Sequence, residues 1–299
     1  MVVDLSAQRR PNGIPVASCS AGGLAPAMLV PLMQSLAEVD AKIQTAGRVA
    51  LFLDFDGTLA PIAEDPTAAQ LSPDVREVLR RIAQQEFVVT TVISGRAVED
   101  LYTRIRLDGI IYGGNHGLEI FGRGMRFVEP AADARRGQMQ RLAETLGAGL
   151  RPFPGVMVED KGLSASVHYR HAAADQVPAI EDAVRYAVAS AGAWFRLQPG
   201  RKSLEIVPRT GWHKGAAVQW INRQLGENGL LPIYLGDDYS DEDAFAVLRN
   251  AITVKVNGPI ATCARYRVPD PYAVYQFLLW LEGRVARGGT DGRAFSLSG

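Results

Sequence analysis

The chain has 299 residues, of which 47% are hydrophobic and 21% charged, and its 32 basic and 32 acidic residues cancel. This composition supports a buried core in about two domains of ~150 residues and argues against a largely disordered chain. The absence of net charge gives no overall attraction to nucleic acid or to an anionic membrane. Two cysteines, Cys19 and Cys263, are too few for a disulfide framework or a four-thiolate zinc site.

No apolar run approaches the ~20 residues of a membrane-spanning helix. The apolar stretch near the N-terminus is short and interrupted by Pro15, so it makes a poor signal peptide. We therefore expect a cytoplasmic globular protein that binds neither nucleic acid nor a membrane and has no evident obligate protein partner.

In chain order, a loose Gly-, Pro- and Ala-rich extension comes first. Apolar residues at helical spacing, from Leu29 through Val39, then predict a helix over 27–46. Beyond it, short apolar runs alternate with helical patterns. Strands are predicted at 48–56, 87–94, 109–115, 232–238 and 251–256, and helices at 73–85, 96–104, 240–249 and 271–283. This alternation is typical of a parallel sheet covered by helices on both faces.

The middle of the chain repeats a helix followed by a hairpin. A helix over 131–147 precedes a hairpin over 156–170 with its turn at 160–162, and a helix from Val177 precedes a hairpin over 194–208 with its turn at Pro199-Gly200. Two such units predict a small antiparallel sheet with both helices packed on one face.

Alternation along these hairpins predicts that the helix-free face of this sheet is polar. Ala165 and Val167 point to one side, and His168 and Arg170 to the other, with Glu205 on the polar side of the second hairpin. The face is either simply solvated or closes over a polar ligand held by the other domain. Alternation alone leaves both interpretations open.

Two carboxylates follow the first predicted strand. Asp54 interrupts the apolar run and Asp56 ends it, before Gly57. A carboxylate within a hydrophobic strand costs several kcal/mol unless a cation or hydrogen-bond donors compensate. Because residues i and i+2 share one side of a strand, both acids can serve one reaction centre.

A second acidic cluster, GDDYSDEDAF, follows another apolar strand at 236–245. We interpret Asp237, directly after the strand, as a ligand, and Glu242 and Asp243 as charges that offset the helix dipole. Oxygen ligands at two strand ends favour Mg²⁺ over zinc. Ligands of open α/β sheets bind outside the carboxyl ends of the strands.

The same edge is predicted to carry Ser94-Gly95-Arg96, a reasonable phosphate cradle, and Asn115-His116-Gly117. Lys214 opens a helix over 215–225, where a lone lysine is by itself most simply solvated. The chain contains no P-loop, no G-x-S-x-G and no H-E-x-x-H motif, which removes the usual signals for P-loop nucleotidases, α/β-hydrolases and zinc peptidases.

Four segments occur in a recognisable order: DFDGTL, then S-G-R, then K-G at a helix start, then GDDYSDEDAF. They resemble the four motifs of the haloacid dehalogenase-like phosphatases. Within that superfamily, LDFDGTLAPI, GNHGLE, VHYR and KSLEIVP resemble the trehalose-6-phosphate phosphatases. The resemblance covers roughly residues 48 to 283.

This resemblance implies an α/β fold: a Rossmann-like parallel-sheet core of the haloacid dehalogenase type with an inserted α/β cap, an antiparallel sheet with two helices on one face. The implied domains are an N-terminal extension with a helix (1–46), a catalytic core (47–121 and 209–285), a cap (122–208) and a disordered tail (286–299). The implied activity is Mg²⁺-dependent hydrolysis of trehalose 6-phosphate through an aspartyl-phosphate, the last step of trehalose biosynthesis.

The resemblance also implies residue roles. Asp54 is the nucleophile, Asp56 the general acid/base, and Lys214 joins them in catalysis and in holding phosphate with Ser94 and Gly95. The implied metal ligands are Asp54, Asp56, Asp237, Asp238 and Asp241. The implied sugar-recognition residues are Arg96, Asn115, His116, Glu119, Lys161, His168, Arg170, Lys202 and Glu205.

Small departures from the family pattern are Ser240 for Thr, Val207 for a basic residue and His213 for Asn; they concern sugar contact and leave the catalytic set intact. One alternative is a related phosphatase acting on sucrose phosphate or on a glycosyl- or mannosyl-phosphoglycerate. Another is a catalytically silent sugar-phosphate sensor that kept the fold. A silent domain, however, has no physical need for a buried acidic cluster.

Overall fold

The computed structural model describes residues 29–200, 202–248, 250–258 and 262–288. The chain divides into two units, one formed by residues up to Thr91 and from Lys214 onward, the other by Val92–His213. The predicted extension before residue 29 and the predicted tail beyond residue 288 lie outside the described residues. The tail is predicted to be disordered from residue 286, but residues 286–288 belong to the last described helix, Pro271–Gly288.

The described elements follow in chain order. The strands are β1 Val30–Pro31, β2 Arg48–Leu53, β3 Val88–Ile93, β4 Ile111–Gly114, β5 Glu119–Gly122, β6 Met125–Val128, β7 Met157–Asp160, β8 Ala165–His168, β9 Phe195–Gly200, β10 Ser203–Pro208, β11 Leu230–Gly236, β12 Ile252–Val256 and β13 Tyr266–Val268. The helices are α1 Leu36–Thr45, α2 Pro73–Ala83, α3 Val98–Ile105, α4 Pro130–Asp133, α5 Arg136–Gly149, α6 Val177–Ser190, α7 Lys214–Leu225, α8 Tyr239–Val247 and α9 Pro271–Gly288.

The first unit is built on a parallel sheet, as the sequence predicts. Its strands follow the order β1-β13-β12-β11-β2, with each neighbouring pair parallel, and β3 comes next to β2. Consecutive residues of β3 and β12 are all buried. Because neighbouring side chains of a strand point to opposite faces, both faces of the sheet are covered.

The helices of this unit begin at the expected signals. Ser72 caps α2 by accepting a hydrogen bond from the Val75 amide at 3.3 Å, and Pro73 occupies the first helical position. The apolar stripe of α2 is buried and packs against α9, where Arg81 and Glu282 form an ion pair at 2.8 Å. Helices α7 and α8 also contact each other.

In the second unit, strands β4, β5 and β6 pair consecutively and antiparallel. A separate sheet of four antiparallel strands lies in the same unit. The β5–β6 hairpin is not predicted by the sequence pattern, because its strands are only four residues long. Its turn is formed by Arg123 and Gly124, both with positive φ.

The four-stranded sheet of this unit has the order β7-β8-β10-β9 and confirms the predicted helix-hairpin repeat. Its apolar face packs against α5 and α6. The buried cluster between them comprises Met139, Leu142 and Leu146 of α5, Ile180, Val184 and Val188 of α6, and Ala165, Val167, Leu204 and Ile206 of the strands. The predicted alternation is therefore correct for β8 and β10.

Several predicted elements differ from the structure in where they begin, break or turn. The helix predicted over 27–46 begins only at Leu36: Val30–Pro31 is extended as β1, and Leu32–Gln34 forms a short 3-10 helix before α1. The helix predicted over 131–147 is interrupted between α4 and α5, where Arg135 leaves helical geometry with φ −113° and ψ 7°. The turn predicted at Pro199-Gly200 is wrong: both residues pair within the sheet, and the reversal includes Lys202 at φ 55°.

The predicted cap, residues 122–208, lies wholly inside the second unit, which extends further on both sides. The boundaries given above for the core (47–121 and 209–285) and the cap (122–208) stay a prediction.

Candidate active site

Neighbouring strands bring the two acidic segments of the first unit together. Strand β11 pairs with β2 so that Leu235 lies opposite Leu53, and the Asp54 amide donates to the Leu235 carbonyl at 3.0 Å. Asp54 follows β2 and Asp237 follows β11. Parallel pairing therefore places the predicted nucleophile and the predicted metal ligand at the same edge of the sheet.

Lys214 is buried between two carboxylates. Its Nζ donates to Asp54 Oδ1 at 2.5 Å and to Asp241 Oδ1 at 2.8 Å, and its side chain is 2% exposed. The interpretation of this lysine as a solvated side chain at a helix start is wrong. A buried ammonium requires charged partners, which these two aspartates supply.

Asp241 is held by three donors. Its Oδ1 accepts from Tyr234 Oη at 2.7 Å as well as from Lys214, and its Oδ2 accepts from the Asp238 amide at 2.9 Å. Sequence analysis did not single out Tyr234, because a tyrosine within an apolar strand has the pattern of a core residue. Its position three residues before Asp237 is the only sequence signal that could have found it.

The groups in this cluster perturb one another. Burial raises the pKa of Asp54, and the Asp241 and Asp237 carboxylates act in the same direction while Lys214 opposes them. Burial opposes ionisation of Asp241 too, but Lys214 and the donated hydrogen bonds prevail and lower its pKa. Although burial acts to lower it, the pKa of Lys214 is raised by Asp241 and Asp54. The lysine therefore remains an ammonium.

The donor set suits a hard divalent cation. Carboxylate oxygens of Asp54, Asp237 and Asp241 lie within 4.8 Å of one another. Lys214 pairs with Asp54 and Asp241, and Asp237 adds a third carboxylate to the group. Oxygen donors of this kind are those that Mg²⁺ prefers. Gly57 makes room for this arrangement, because a Cβ on it would collide with the Asp237 carboxylate.

The other two acids predicted as metal ligands lie on the adjoining turns. Asp56 is partly exposed in a tight turn, where the Gly57 amide donates to the Ala60 carbonyl at 2.8 Å. Asp238 is the N-cap residue of α8, and burial raises the pKa of its side chain. Neither belongs to the group of three carboxylates that could share a metal among the described residues.

In the second unit, the Ser94-Gly95-Arg96 segment is tightly folded and buried. Ser94 Oγ accepts from the Arg96 amide at 3.2 Å, and the Ser94 carbonyl accepts from the His116 amide at 2.8 Å. Arg96 forms an ion pair with Asp100 at 2.9 Å. Ser94 therefore lies beside His116, as the strand-end prediction expects.

Asn115 and His116 both adopt left-handed backbone geometry, with φ 50° and 59°. Such strain persists only where the surroundings hold it. Asn115 Nδ2 donates to Glu119 Oε1 at 2.6 Å and to the Lys161 carbonyl at 3.1 Å, and Ser164 Oγ donates to Asn115 Oδ1. The His116 ring lies over Gly95, where a Cβ would collide with it.

Glu205 is the centre of a polar network on the four-stranded sheet. It accepts from Lys161 Nζ at 3.2 Å, from Ser166 Oγ at 2.5 Å and from Ser203 Oγ at 3.2 Å. Lys161 Nζ also donates to the Gly95 carbonyl at 3.1 Å, so this lysine is not a solvated turn residue. Burial opposes the charge, but Lys161 and Ser166 lower the pKa of Glu205.

His168 belongs to the same face and contacts a residue that sequence analysis missed. Its Nε2 lies 2.9 Å from Glu159 Oε2. The network thus joins Lys161, His168 and Glu205, whereas Lys202 is exposed at its turn and Arg170 is partly buried just after β8.

No helix in the described part of the chain is long and apolar enough to cross a membrane.

Comparisons with known proteins give one family profile and several relatives that cover most of this chain. The profile of the trehalose-phosphatase family matches residues 52–272. A trehalose-phosphate phosphatase of Mycobacterium tuberculosis is 38% identical over 254 residues, which cover 82% of this chain and 63% of that protein. An uncharacterized glycosyl hydrolase of the same species is 40% identical over 248 residues, which cover 79% of this chain and 18% of that protein. The chain thus spans less than two thirds of these relatives.

Solved structures show the same architecture. A trehalose-6-phosphate phosphatase related protein superimposes with a TM-score of 0.72 at 25% identity, covering 80% of this chain and 99% of that one. The C-terminal domain of a C. albicans trehalose-6-phosphate phosphatase superimposes with a TM-score of 0.69 at 22% identity, covering 87% and 99%, which shows the shared fold. With the family profile spanning most of its length, the chain belongs to the trehalose-phosphatase family.

Proposed function

We propose that this protein is a Mg²⁺-dependent phosphatase that hydrolyses trehalose 6-phosphate to trehalose and phosphate. The observation that carries the proposal is the buried Asp54–Lys214–Asp241 cluster at the strand ends of a trehalose-phosphatase-family chain. Relatives 38% identical to the chain carry the name trehalose-phosphate phosphatase.

Asp54 is the proposed nucleophile. Lys214 donates to its Oδ1, which leaves Oδ2 for the attack on phosphorus. In the first step a bond forms between Asp54 Oδ2 and phosphorus, the bond between phosphorus and the sugar oxygen breaks, and Asp56 gives that oxygen a proton.

In the second step water attacks the aspartyl-phosphate. Asp56 takes the proton of the water, the bond between phosphorus and Asp54 breaks, and inorganic phosphate leaves with the aspartate restored. Lys214 offsets the charge of the phosphoryl oxygens throughout, which is the main requirement of a loose phosphoryl transition state.

The cation site is proposed to consist of the Asp54 and Asp237 carboxylates with the Asp56 carbonyl, and Asp238 and Asp241 in support. When bound, Mg²⁺ supplies further neutralisation of phosphoryl charge. Both oxygens of Asp241 already accept hydrogen bonds, which favours a supporting role for this residue.

Phosphate contact is further assigned to Ser94 and Gly95. Sugar recognition is assigned to the polar face centred on Glu205, with Lys161, His168 and Arg170. Several convergent polar groups are what a disaccharide with many hydroxyls requires.

The test is phosphate release from trehalose 6-phosphate, sucrose 6-phosphate, glucose 6-phosphate and mannosyl-phosphoglycerate, each with Mg²⁺ and with EDTA. We expect Mg²⁺-dependent turnover concentrated on trehalose 6-phosphate. Preferred turnover of another substrate would keep the chemistry and overturn the substrate assignment. Folded protein that releases no phosphate from any of the four would overturn the enzyme and favour a sugar-phosphate sensor.

A further inference from the structure

Tyr234 is a fully buried tyrosine of β11 whose hydroxyl reaches the charged cluster. Its Oη donates to Asp241 Oδ1 at 2.7 Å. Its ring is held on two sides, stacked on Phe52 with centroids 6.2 Å apart and edge-on to Phe245 at 5.5 Å. The hydroxyl is therefore delivered to Asp241 by a ring that the core keeps in place.

The oxygen that Tyr234 contacts is the one that holds Lys214. Asp241 Oδ1 accepts from Lys214 Nζ at 2.8 Å and Oδ2 accepts from the Asp238 amide at 2.9 Å. The terminal torsion of an aspartate is soft, so the orientation of the carboxylate is decided by its hydrogen bonds. Without the phenol, the Asp241 carboxylate loses one of the three hydrogen bonds that fix its orientation, and Oδ1 keeps Lys214 as its only donor among these contacts.

We propose that Tyr234 is a positioning residue for phosphoryl transfer: through Asp241 it sets the Lys214 ammonium against Asp54. The inference rests on the proposed function, in which Lys214 binds the phosphate that Asp54 attacks. Tyr234 itself touches no reacting atom, and its effect passes through Asp241.

The variant Tyr234→Phe removes the hydroxyl and keeps the ring contacts. We expect kcat to fall about tenfold, the size of one hydrogen bond, and by the same factor for trehalose 6-phosphate and p-nitrophenyl phosphate, because Lys214 acts on the shared phosphate. We also expect calorimetry to show weaker binding of inorganic phosphate.

The control is Tyr112→Phe, because Tyr112 is also buried and its hydroxyl lies away from the charged cluster, donating to the Leu107 carbonyl at 2.7 Å and accepting from the Leu107 amide at 3.0 Å. It should lower the unfolding temperature comparably and leave kcat unchanged. An equal loss of kcat in both variants would show that the loss comes from lower stability of the fold, and it would overturn the proposal.

A double-mutant cycle with Asp241→Asn separates positioning from a general structural effect. Because Tyr234 acts through Asp241, adding Tyr234→Phe to Asp241→Asn should cause little further loss in kcat/KM for p-nitrophenyl phosphate. Additive losses, or a folded Tyr234→Phe protein with wild-type kcat and phosphate affinity, would overturn the proposal. If trehalose 6-phosphate proves not to be a substrate, p-nitrophenyl phosphate still decides, and if neither ester reacts, phosphate binding decides.

Discussion

At the level of single residues, the chemistry proposed for the first unit centres on an almost solvent-free ion cluster. Lys214 and Asp241 have side chains 2% and 0% exposed. Removing one partner of a buried pair typically costs 3–5 kcal/mol, because the remaining charge is left uncompensated. The proposed catalytic lysine is therefore also a structural requirement, and its substitution tests stability as well as activity.

Asp54→Asn separates chemistry from stability more cleanly. The amide keeps the shape of the carboxylate but cannot attack phosphorus, and burial already disfavours the charged form of Asp54. We expect undetectable phosphate release from a protein that unfolds cooperatively near the wild-type temperature. Wild-type phosphate release by the Asp54 variant would remove Asp54 from the mechanism.

Asp56→Asn should lose ~10²–10⁴-fold in kcat for phosphate release, which is the usual contribution of a general acid/base.

At the scale of elements, the turn after β2 shapes the proposed cation site. Gly57 has φ 83°, and a Cβ on it would collide with the Asp237 carboxylate. We expect Gly57→Ala to displace this carboxylate and to weaken Mg²⁺ binding, measured by calorimetry, as well as phosphate release.

The control for this turn is Gly226→Ala, because Gly226 has φ 80° and nothing within 4 Å of an added Cβ. Both variants bear the left-handed backbone penalty of about 1–2 kcal/mol, whereas only Gly57→Ala meets a carboxylate. If both variants bound Mg²⁺ with the affinity of the wild type, the proposed role of Gly57 in the cation site would be wrong.

The four-stranded sheet provides a prediction on pH. Since the pKa of Glu205 lies below its ordinary value of 4.5, its ionised form stabilises the folded state fully above that value, and this stabilisation is lost as the pH falls through the lowered pKa. Glu205→Gln mimics the protonated side chain. The wild type should exceed it in free energy of unfolding at neutral pH, and the difference should vanish in acid.

Urea denaturation of both proteins between about pH 7 and about pH 3 measures this difference. A difference that stays constant over the range would show that Glu205 does not titrate as its contacts with Lys161 and Ser166 require.

For the molecule as a whole, we propose a different chemical role for each of its two units. The first carries the acidic cluster and the second the polar network around Glu205. Phosphoryl transfer needs only the phosphate, whereas selection of a disaccharide needs contacts to its hydroxyls. The two tasks are therefore separable by choice of substrate.

Glu205→Ala tests this separation. We expect KM to rise far more for trehalose 6-phosphate than for p-nitrophenyl phosphate, because only the sugar presents hydroxyls to a carboxylate. Glu144→Ala, an exposed glutamate on α5, is the matched control and should change neither KM. Equal effects of Glu205→Ala on both substrates would favour the interpretation of this face as simply solvated.

Local sequence patterns were enough to predict the strand and helix alternation, the antiparallel sheet with its two helices, and the acids at two strand ends. These features are encoded by local patterns: the apolar periodicity of each element and carboxylates placed next to apolar strands. The short β5–β6 hairpin and the start of α1 escaped this reasoning, because brief strands and proline boundaries carry little periodic signal.

Only the tertiary structure decided which side chains meet. Lys214 and Asp54 are 160 residues apart in the chain, Ser164 and Asn115 are 49 apart, and nothing in their local sequence specifies the contact. Tyr234 and Glu159 have the sequence pattern of ordinary strand residues. The fold places Tyr234 against Asp241 and Glu159 against His168. Burial then converts these encounters into strong interactions, because a charge removed from water must be matched by the partners that the fold supplies.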